Sequence, residues 1–204
     1  IIDTLPSKLE KALHWSPTIN KEQKEVIRYI LWNMVYVEGG TANLGDNNNY
    51  PVDVASFFIN RYEVSQDEWY VIMGENPSNQ HRRNYPVDQV NWFNAQRFTK
   101  KLSQLSGLPF RLPFEAEWEY AARGGVKTKN FIYAGSNNAE QVAWFREKYY
   151  NTYVSKETGT KKPNELGLYD MSGNVYEWCM DWYDRKVPFT GNIAPVISEK
   201  DTHK

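Results

Sequence analysis

Two carboxylates, Asp170 and Glu177, bracket the stretch Asp-Met-Ser-Gly-Asn-Val-Tyr-Glu, and this is the part of the chain best equipped for chemistry. A calcium ion takes about six to eight oxygen ligands, and a tight turn between two side-chain anchors supplies backbone carbonyls toward that number. Gly173 permits such a turn. The competing reading is structural, with Asp170 and Glu177 accepting from local backbone N–H groups and no metal held. Glu115 and Glu119 lie four residues apart, which puts them on one face of a helix and invites an acid/base reading. Glutamates at 115, 117 and 119 in the first turns of a helix also offset its dipole, with Arg111 or Arg123 as partners, and this structural reading is the preferable one.

The remaining reactive side chains are scattered. Cys179 is the only cysteine, so the chain holds no internal disulfide, and its neighbours Trp178, Met180 and Trp182 suit a small buried hydrophobe better than a nucleophile. His14, His81 and His203 are far apart and form no two-histidine helix motif, which argues against a zinc or copper site built within the chain. His81, beside Arg82 and Arg83, reads as a surface residue. No Ser/His/Asp or Cys/His set nominates a triad, and no catalytic residue is named.

The elements that must position these groups follow from composition and pattern. In 204 residues, 24 Lys and Arg face 25 Asp and Glu, and the basic residues come as isolated pairs. That balance disfavours a nucleic-acid partner, which needs a phosphate-binding basic face. The stretch from Val26 to Val37 is too short to span a membrane, which takes about 20 residues, and carries Arg28 and Asn33. With 14 Tyr, 9 Phe and 8 Trp there is ample material for an aromatic core of one domain, or one plus a small extension.

Val26, Ile27, Ile30 and Leu31 fall at helical spacing within Lys21 to Trp32, so this segment is expected to pack on the main domain as an amphipathic helix. Met34 to Val37 and Phe57 to Ile59 read as strands, the second buried, and Asp46 to Asn49 as a turn or loop. Ser65 and Glu68 form a capping box ahead of a short helix reaching about Gly74. Trp92, Ala95, Phe98, Leu102 and Leu105 predict a helix from Asn91 to Leu105 that Gly107 stops in the left-handed conformation. Pro113 opens another helix, with Gly124 and Gly125 beyond its end, and after Gly125 no long regular pattern remains. The fold class is α+β with much irregular backbone.

Three stretches carry a family resemblance: Met34 to Thr41, Arg111 to Gly125 (Arg-Leu-Pro-Phe-Glu-Ala-Glu-Trp-Glu-Tyr-Ala-Ala-Arg-Gly-Gly), and Gly167 to Trp178 (Gly-Leu-Tyr-Asp-Met-Ser-Gly-Asn-Val-Tyr-Glu-Trp). Tyr62-Glu63-Val64-Ser65, Tyr85-Pro86-Val87 and Val90-Asn91-Trp92 lie between the first two in the order this family has them. The chain resembles the formylglycine-generating enzyme, or sulfatase-modifying factor, family over roughly residues 33 to 183. The resemblance implies a C-type-lectin-like fold with small twisted antiparallel sheets and two main helices. It divides the chain into an N-terminal helical extension, 1–32, and a family domain, 33–204, apparently without its C-terminal portion. Phe114 stands where the family has Thr, which removes a helix cap worth about 1 kcal/mol.

For function, the resemblance implies a structural calcium held by the carboxylates of Asp170 and Glu177 and the carbonyls of Gly173 and Val175. A second family calcium site falls in the loop from Ala139 to Thr160, where the usual Asp is missing, so that site is expected to be lost. Trp144, Phe145, Tyr149 and Tyr150 of this loop either line a groove or, more in keeping with a Trp-rich fold, pack in the core. The family enzyme oxidises a substrate cysteine with copper, oxygen and two cysteines of its own, and Cys179 matches neither position. The expected function is therefore a non-catalytic, calcium-stabilised binding or scaffold domain for a protein or glycan partner. The alternatives are an oxidase whose cysteine-bearing segment, and with it copper, lies outside this chain, and a glycan-binding lectin-like module, although the Glu-Pro-Asn and Gln-Pro-Asp sugar signatures are absent. The location is left unknown, and a leader removed before Ile1 would favour a periplasmic, cell-surface or secreted one.

Overall fold

The structure is a computed structural model that describes residues 11–45, 50–145 and 154–182. The loop expected at 46–49, together with Tyr149, Tyr150 and His203, lies outside the described residues.

Helix α1 (Lys21–Trp32) forms where the apolar spacing predicts it. Its start carries a capping box: Asn20 Oδ1 accepts from Gln23 N at 2.8 Å, and Gln23 Oε1 accepts from Asn20 N at 3.2 Å. Ile27, Ile30 and Leu31 are buried with Trp69 and Ile72 of α2 (Gln66–Met73) and with Phe98, Leu102 and Leu105 of α3 (Trp92–Ser106). At the centre of this helical core the Trp69 and Phe98 rings stack at 5.0 Å. Both α2 and α3 have the predicted capping residues, and α3 runs one residue beyond the expected Leu105. Ser65 Oγ accepts from Glu68 N while Glu68 reaches back to Ser65 N, and Asn91 Oδ1 accepts from Asn94 N. Gly74 and Gly107 end them with φ of 87° and 75°. A Cβ on Gly107 would also stand 2.8 Å from the Cβ of His14, so two constraints converge there.

A second core gathers around two antiparallel hairpin-like pairs. Strand β1 (Met34–Val37) pairs with β4 (Phe57–Asn60), and β2 (Gly40–Leu44) pairs with β3 (Tyr50–Val54). Val37, Leu44, Val52, Val54 and Phe57 turn inward onto Tyr120, Ala121 and Ala122 of α4 (Glu115–Ala122) and onto Leu168 and Met171. Phe58 corrects the expectation of a buried strand: it is half exposed, because the two-residue period of a strand sends it to the face opposite Phe57. Helix α4 begins at Glu115, so Pro113 precedes it instead of opening it. Phe114, at its N-cap, makes no side-chain cap, and Glu117 alone reaches back to Phe114 N at 2.9 Å.

Beyond α4 come a 3-10 turn, Gly125–Lys127, the one-turn helix α5 (Ala139–Val142) and irregular backbone. No helix among the described residues is long and apolar enough to cross a membrane. The architecture is the α+β class that the pattern predicts.

Candidate functional site

The segment after Leu168 folds back on itself through two residues in the left-handed region, Asp170 (φ 59°) and Asn174 (φ 66°). Asp and Asn tolerate that conformation better than other side chains. Gly173, expected to supply the turn, does not have a positive φ. It is needed for a different reason, since a Cβ there would collide with the carbonyl oxygen of Trp144. Gly173 N donates to Asp170 O at 3.2 Å and Asn174 N donates to Trp144 O at 2.8 Å, which closes the loop onto Trp144.

Asp170 is 2% exposed. Its Oδ2 accepts from Gly159 N at 2.7 Å, while its Oδ1 is buried with no hydrogen-bond partner among the described residues. Beside it, Glu63 is buried and accepts from Asn174 Nδ2 at 2.6 Å and Val175 N at 3.2 Å. Asn174 is itself clamped to the backbone of Lys156, through Lys156 N to Oδ1 and Nδ2 to Lys156 O. Glu177 lines the same region and keeps surface open to the adjoining cleft. None of the three carboxylates has a Lys or Arg partner among the described residues.

This arrangement makes negative charge costly. Burial, then the charges of Glu177 and Asp170, push the Glu63 carboxyl up to about 9 against the help of its two donors. Burial pushes the Glu177 carboxyl up to about 7, with the neighbouring Trp118 indole opposing the rise and Asp170 adding to it. Asp170 is raised by burial, and the Gly159 N–H offsets part of that. A buried carboxylate oxygen without a donor among the described residues is a group that suits a hard cation. Among the described residues no three His, Cys, Asp or Glu are grouped as a metal centre, so the fit rests on two carboxylates supplemented by carbonyls.

Of the expected ligands, Asp170 lies near enough to Glu177 for its charge to add to the rise of the Glu177 carboxyl. Glu63 and Asn174 were not singled out from sequence as parts of the site. Glu63 comes from 111 residues before Asn174, and only its position as a charged residue between Tyr62 and Val64 hinted at a buried role.

A cleft of about 1770 Å³ opens beside these carboxylates, bordered by β4, α3 and the segments 108–113 and 169–179. Its aromatic lining includes Trp92, which stacks on Trp182 at 5.7 Å, and Trp178, whose Nε1 donates to Val90 O. Trp144 lines it too, with Lys161 Nζ 3.9 Å from its ring centre, and Phe145 is half exposed. The acid/base pair does not materialise. Glu119 accepts from Gly45 N and pairs with Arg123 at 2.6 Å, and Glu117 takes Arg111 in a two-pronged pair at 2.7 Å. Glu115 N donates to Asp181 Oδ2. Cys179 is pushed up to about 12 by burial and then by Glu177, Glu115 and Asp181, so its thiol holds its proton.

Comparison with known proteins identifies this framework. Residues 21–198 match the sulfatase-modifying factor enzyme 1-like domain, a span that includes α1. The chain is 35% identical to the chaperone protein LppX of Paenibacillus barcinonensis, covering 74% of this chain and 72% of that protein. It is 31% identical to the formylglycine-generating enzyme of Mus musculus over 69% of this chain, but it spans only 40% of that enzyme's length. The crystal structure of CarF superposes with a TM-score of 0.63 at 27% identity, covering 76% of this chain and 82% of CarF. The chain belongs to the sulfatase-modifying factor family, with the C-type-lectin-like fold of the formylglycine-generating enzymes.

Proposed function

We propose that this domain is a non-catalytic member of its family, a scaffold stabilised by one calcium ion that binds a protein partner in the cleft. The observation that carries the reading is Asp170 Oδ1, buried and without a donor among the described residues, in electrostatic reach of Glu63 and Glu177, none of which has a Lys or Arg partner among those residues. Asp170 and Glu177 hold the ion with their carboxylates, and the carbonyls of Gly173 and Val175 complete the protein's share of ligands. When bound, calcium neutralises this cluster and ties the 170–177 loop to the body of the fold.

Two observations support a binding role without catalysis. The single thiol, Cys179, sits among carboxylates that keep it protonated, opposite to what a copper ligand or a nucleophile needs. The cleft is wide and lined by exposed aromatic residues, and a 35% identical relative carries the name of a chaperone. Thermal unfolding of the protein in millimolar calcium and in excess EGTA tests the first half, with a higher midpoint in calcium expected. Incubation of a cysteine-containing sulfatase peptide with the protein, copper and oxygen tests the second, with no loss of the cysteine expected. An unchanged midpoint removes calcium from the reading, and turnover of the peptide establishes the oxidase in its place.

A further inference from the structure

Eight consecutive residues after α4, 126–133, are exposed, and none of residues 119–143 lines the cleft. They read Val-Lys-Thr-Lys-Asn-Phe-Ile-Tyr, which is four apolar or aromatic side chains, two lysines and no acid. Exposure peaks at Ile132, 76%, and falls to 37% at Phe131 and 39% at Tyr133, so an aliphatic apex stands on a collar of two rings. The backbone beneath it draws its partners from the fold. Lys127 N and Thr128 N donate to Gly124 O and Gly125 O, Lys129 N to Glu165 Oε1, Asn130 N to Thr128 Oγ1 and Ile132 N to Asn137 Oδ1. Tyr133 and Ser136 exchange both of their backbone bonds. Donors already met from within remove much of the cost of carrying an exposed turn out of water.

Behind the tip the surface is basic. Ser136 and Lys162 both reach the Gln141 side chain, at 3.2 and 3.4 Å, which sets the pair Lys161 and Lys162 beside the turn. Lys127, Lys129, Lys161 and Lys162 stand there against Glu140 and Glu165, with Arg123 left out of the balance because Glu119 holds it. None of the four lysines has a carboxylate partner among the described residues, and Lys161 lies over the Trp144 ring. The face is therefore positive on a chain whose net charge is -1. An aliphatic apex, rings a step behind it and cations behind the rings follow the depth order of a bilayer interface, from acyl chains to headgroup phosphates. A protein partner matches this order less well, since lysine is depleted from protein interfaces.

We propose that the 126–133 turn docks this domain on an anionic membrane surface, with Ile132 among the acyl chains, the Phe131 and Tyr133 rings at the interface, and the lysines on lipid phosphates. The docking goes beyond the calcium site and the cleft, and it is measured in EGTA so that no metal bridges protein to lipid. The full chain is sedimented with vesicles of phosphatidylcholine alone and with vesicles in which about a third of the lipid is phosphatidylglycerol. Binding to the anionic vesicles is expected to be at least about tenfold tighter and to weaken as sodium chloride rises from about 0.05 to about 0.5 M. Ile132→Ser is expected to weaken it about tenfold, and Lys127→Gln with Lys129→Gln by a similar factor. Tyr70→Ser removes an aromatic side chain 55% exposed on α2 and is expected to leave binding unchanged. Ile132→Trp keeps the tip apolar and supplies a second readout: its added fluorescence is expected to be quenched by lipids brominated along the acyl chain. No sedimentation with anionic vesicles at low salt, equal sedimentation with neutral ones, equal losses in Tyr70→Ser and Ile132→Ser, or no added quenching in Ile132→Trp overturns membrane docking. The first of these is the outcome if a protein covers the tip instead. The calcium and turnover measurements decide the proposed function separately.

Discussion

At Asp170 one carboxylate oxygen meets the Gly159 N–H and the other meets no donor among the described residues, and a buried charge with an unmade bond is among the most expensive features a fold can keep. Asp170→Asn preserves an oxygen for Gly159 and removes the charge. It is expected to unfold in EGTA at or above the wild-type temperature, yet to lose the upward shift that millimolar calcium gives the wild type. A calcium shift of wild-type size in this variant places the ion elsewhere. The same cluster sets a pH dependence in EGTA. Glu63 titrates near an ordinary 4.5 when unfolded and at about 9 when folded, so the folded chain binds more protons throughout that window. Stability then falls as pH rises from 4.5 to 9, and Glu177 contributes the same sign from 4.5 to about 7. Denaturant titration at about pH 5.5 and about pH 8 checks it, and a midpoint that rises with pH in EGTA contradicts it.

The helices show what a linear pattern can and cannot disclose. Ser65 is a cap in both the sequence and the structure, and its hydroxyl also donates to the buried Glu68 carboxylate at 2.8 Å. Ser65→Ala is expected to cost about 1–2 kcal/mol in urea unfolding, above an ordinary cap because Glu68, already raised by burial, loses a donor. A cost near zero means that Glu68 rests on the Ser65 backbone N–H alone. Signals of this kind are local, a capping residue three positions from its partner or a glycine after an apolar stripe, and α1, α2 and α3 were legible for that reason. Strands β2 and β3 were not, since Gly40 and Asn43 in one and Pro51 and Asp53 in the other interrupt the apolar alternation that only Leu44, Val52 and Val54 continue inward. The site divides in the same way. Asp170 and Glu177 belong to one short motif and could be read along the chain, whereas Glu63 joins them through the tertiary fold, and the need for glycine at 173 arises from a carbonyl at Trp144.

The molecule holds two buried clusters, one built from α1, α2 and α3 and one from the two strand pairs, α4 and the approach to the carboxylates. Leu168, 1% exposed, belongs to the second and sits between two backbone clamps: its own N–H and C=O bond to Asn164, and the next residue, Tyr169, donates to Arg61 O at 3.1 Å. Through that bond one segment positions both Asp170 and the chain leading to Glu63. Ile27, fully buried, belongs to the first cluster and touches none of these groups. Leu168→Ala and Ile27→Ala each delete a comparable side chain from a packed interior, so each is expected to cost about 2–5 kcal/mol in denaturant. Their effects on calcium differ, because coupling is confined to residues that share contacts with the site. Calorimetric titration well below either unfolding transition is expected to find calcium affinity several-fold weaker in Leu168→Ala and within about twofold of wild type in Ile27→Ala. Equal weakening in both places the carboxylate cluster under the control of the whole fold, and no weakening in either means that the 170–177 loop organises its ion without support from the core beneath it.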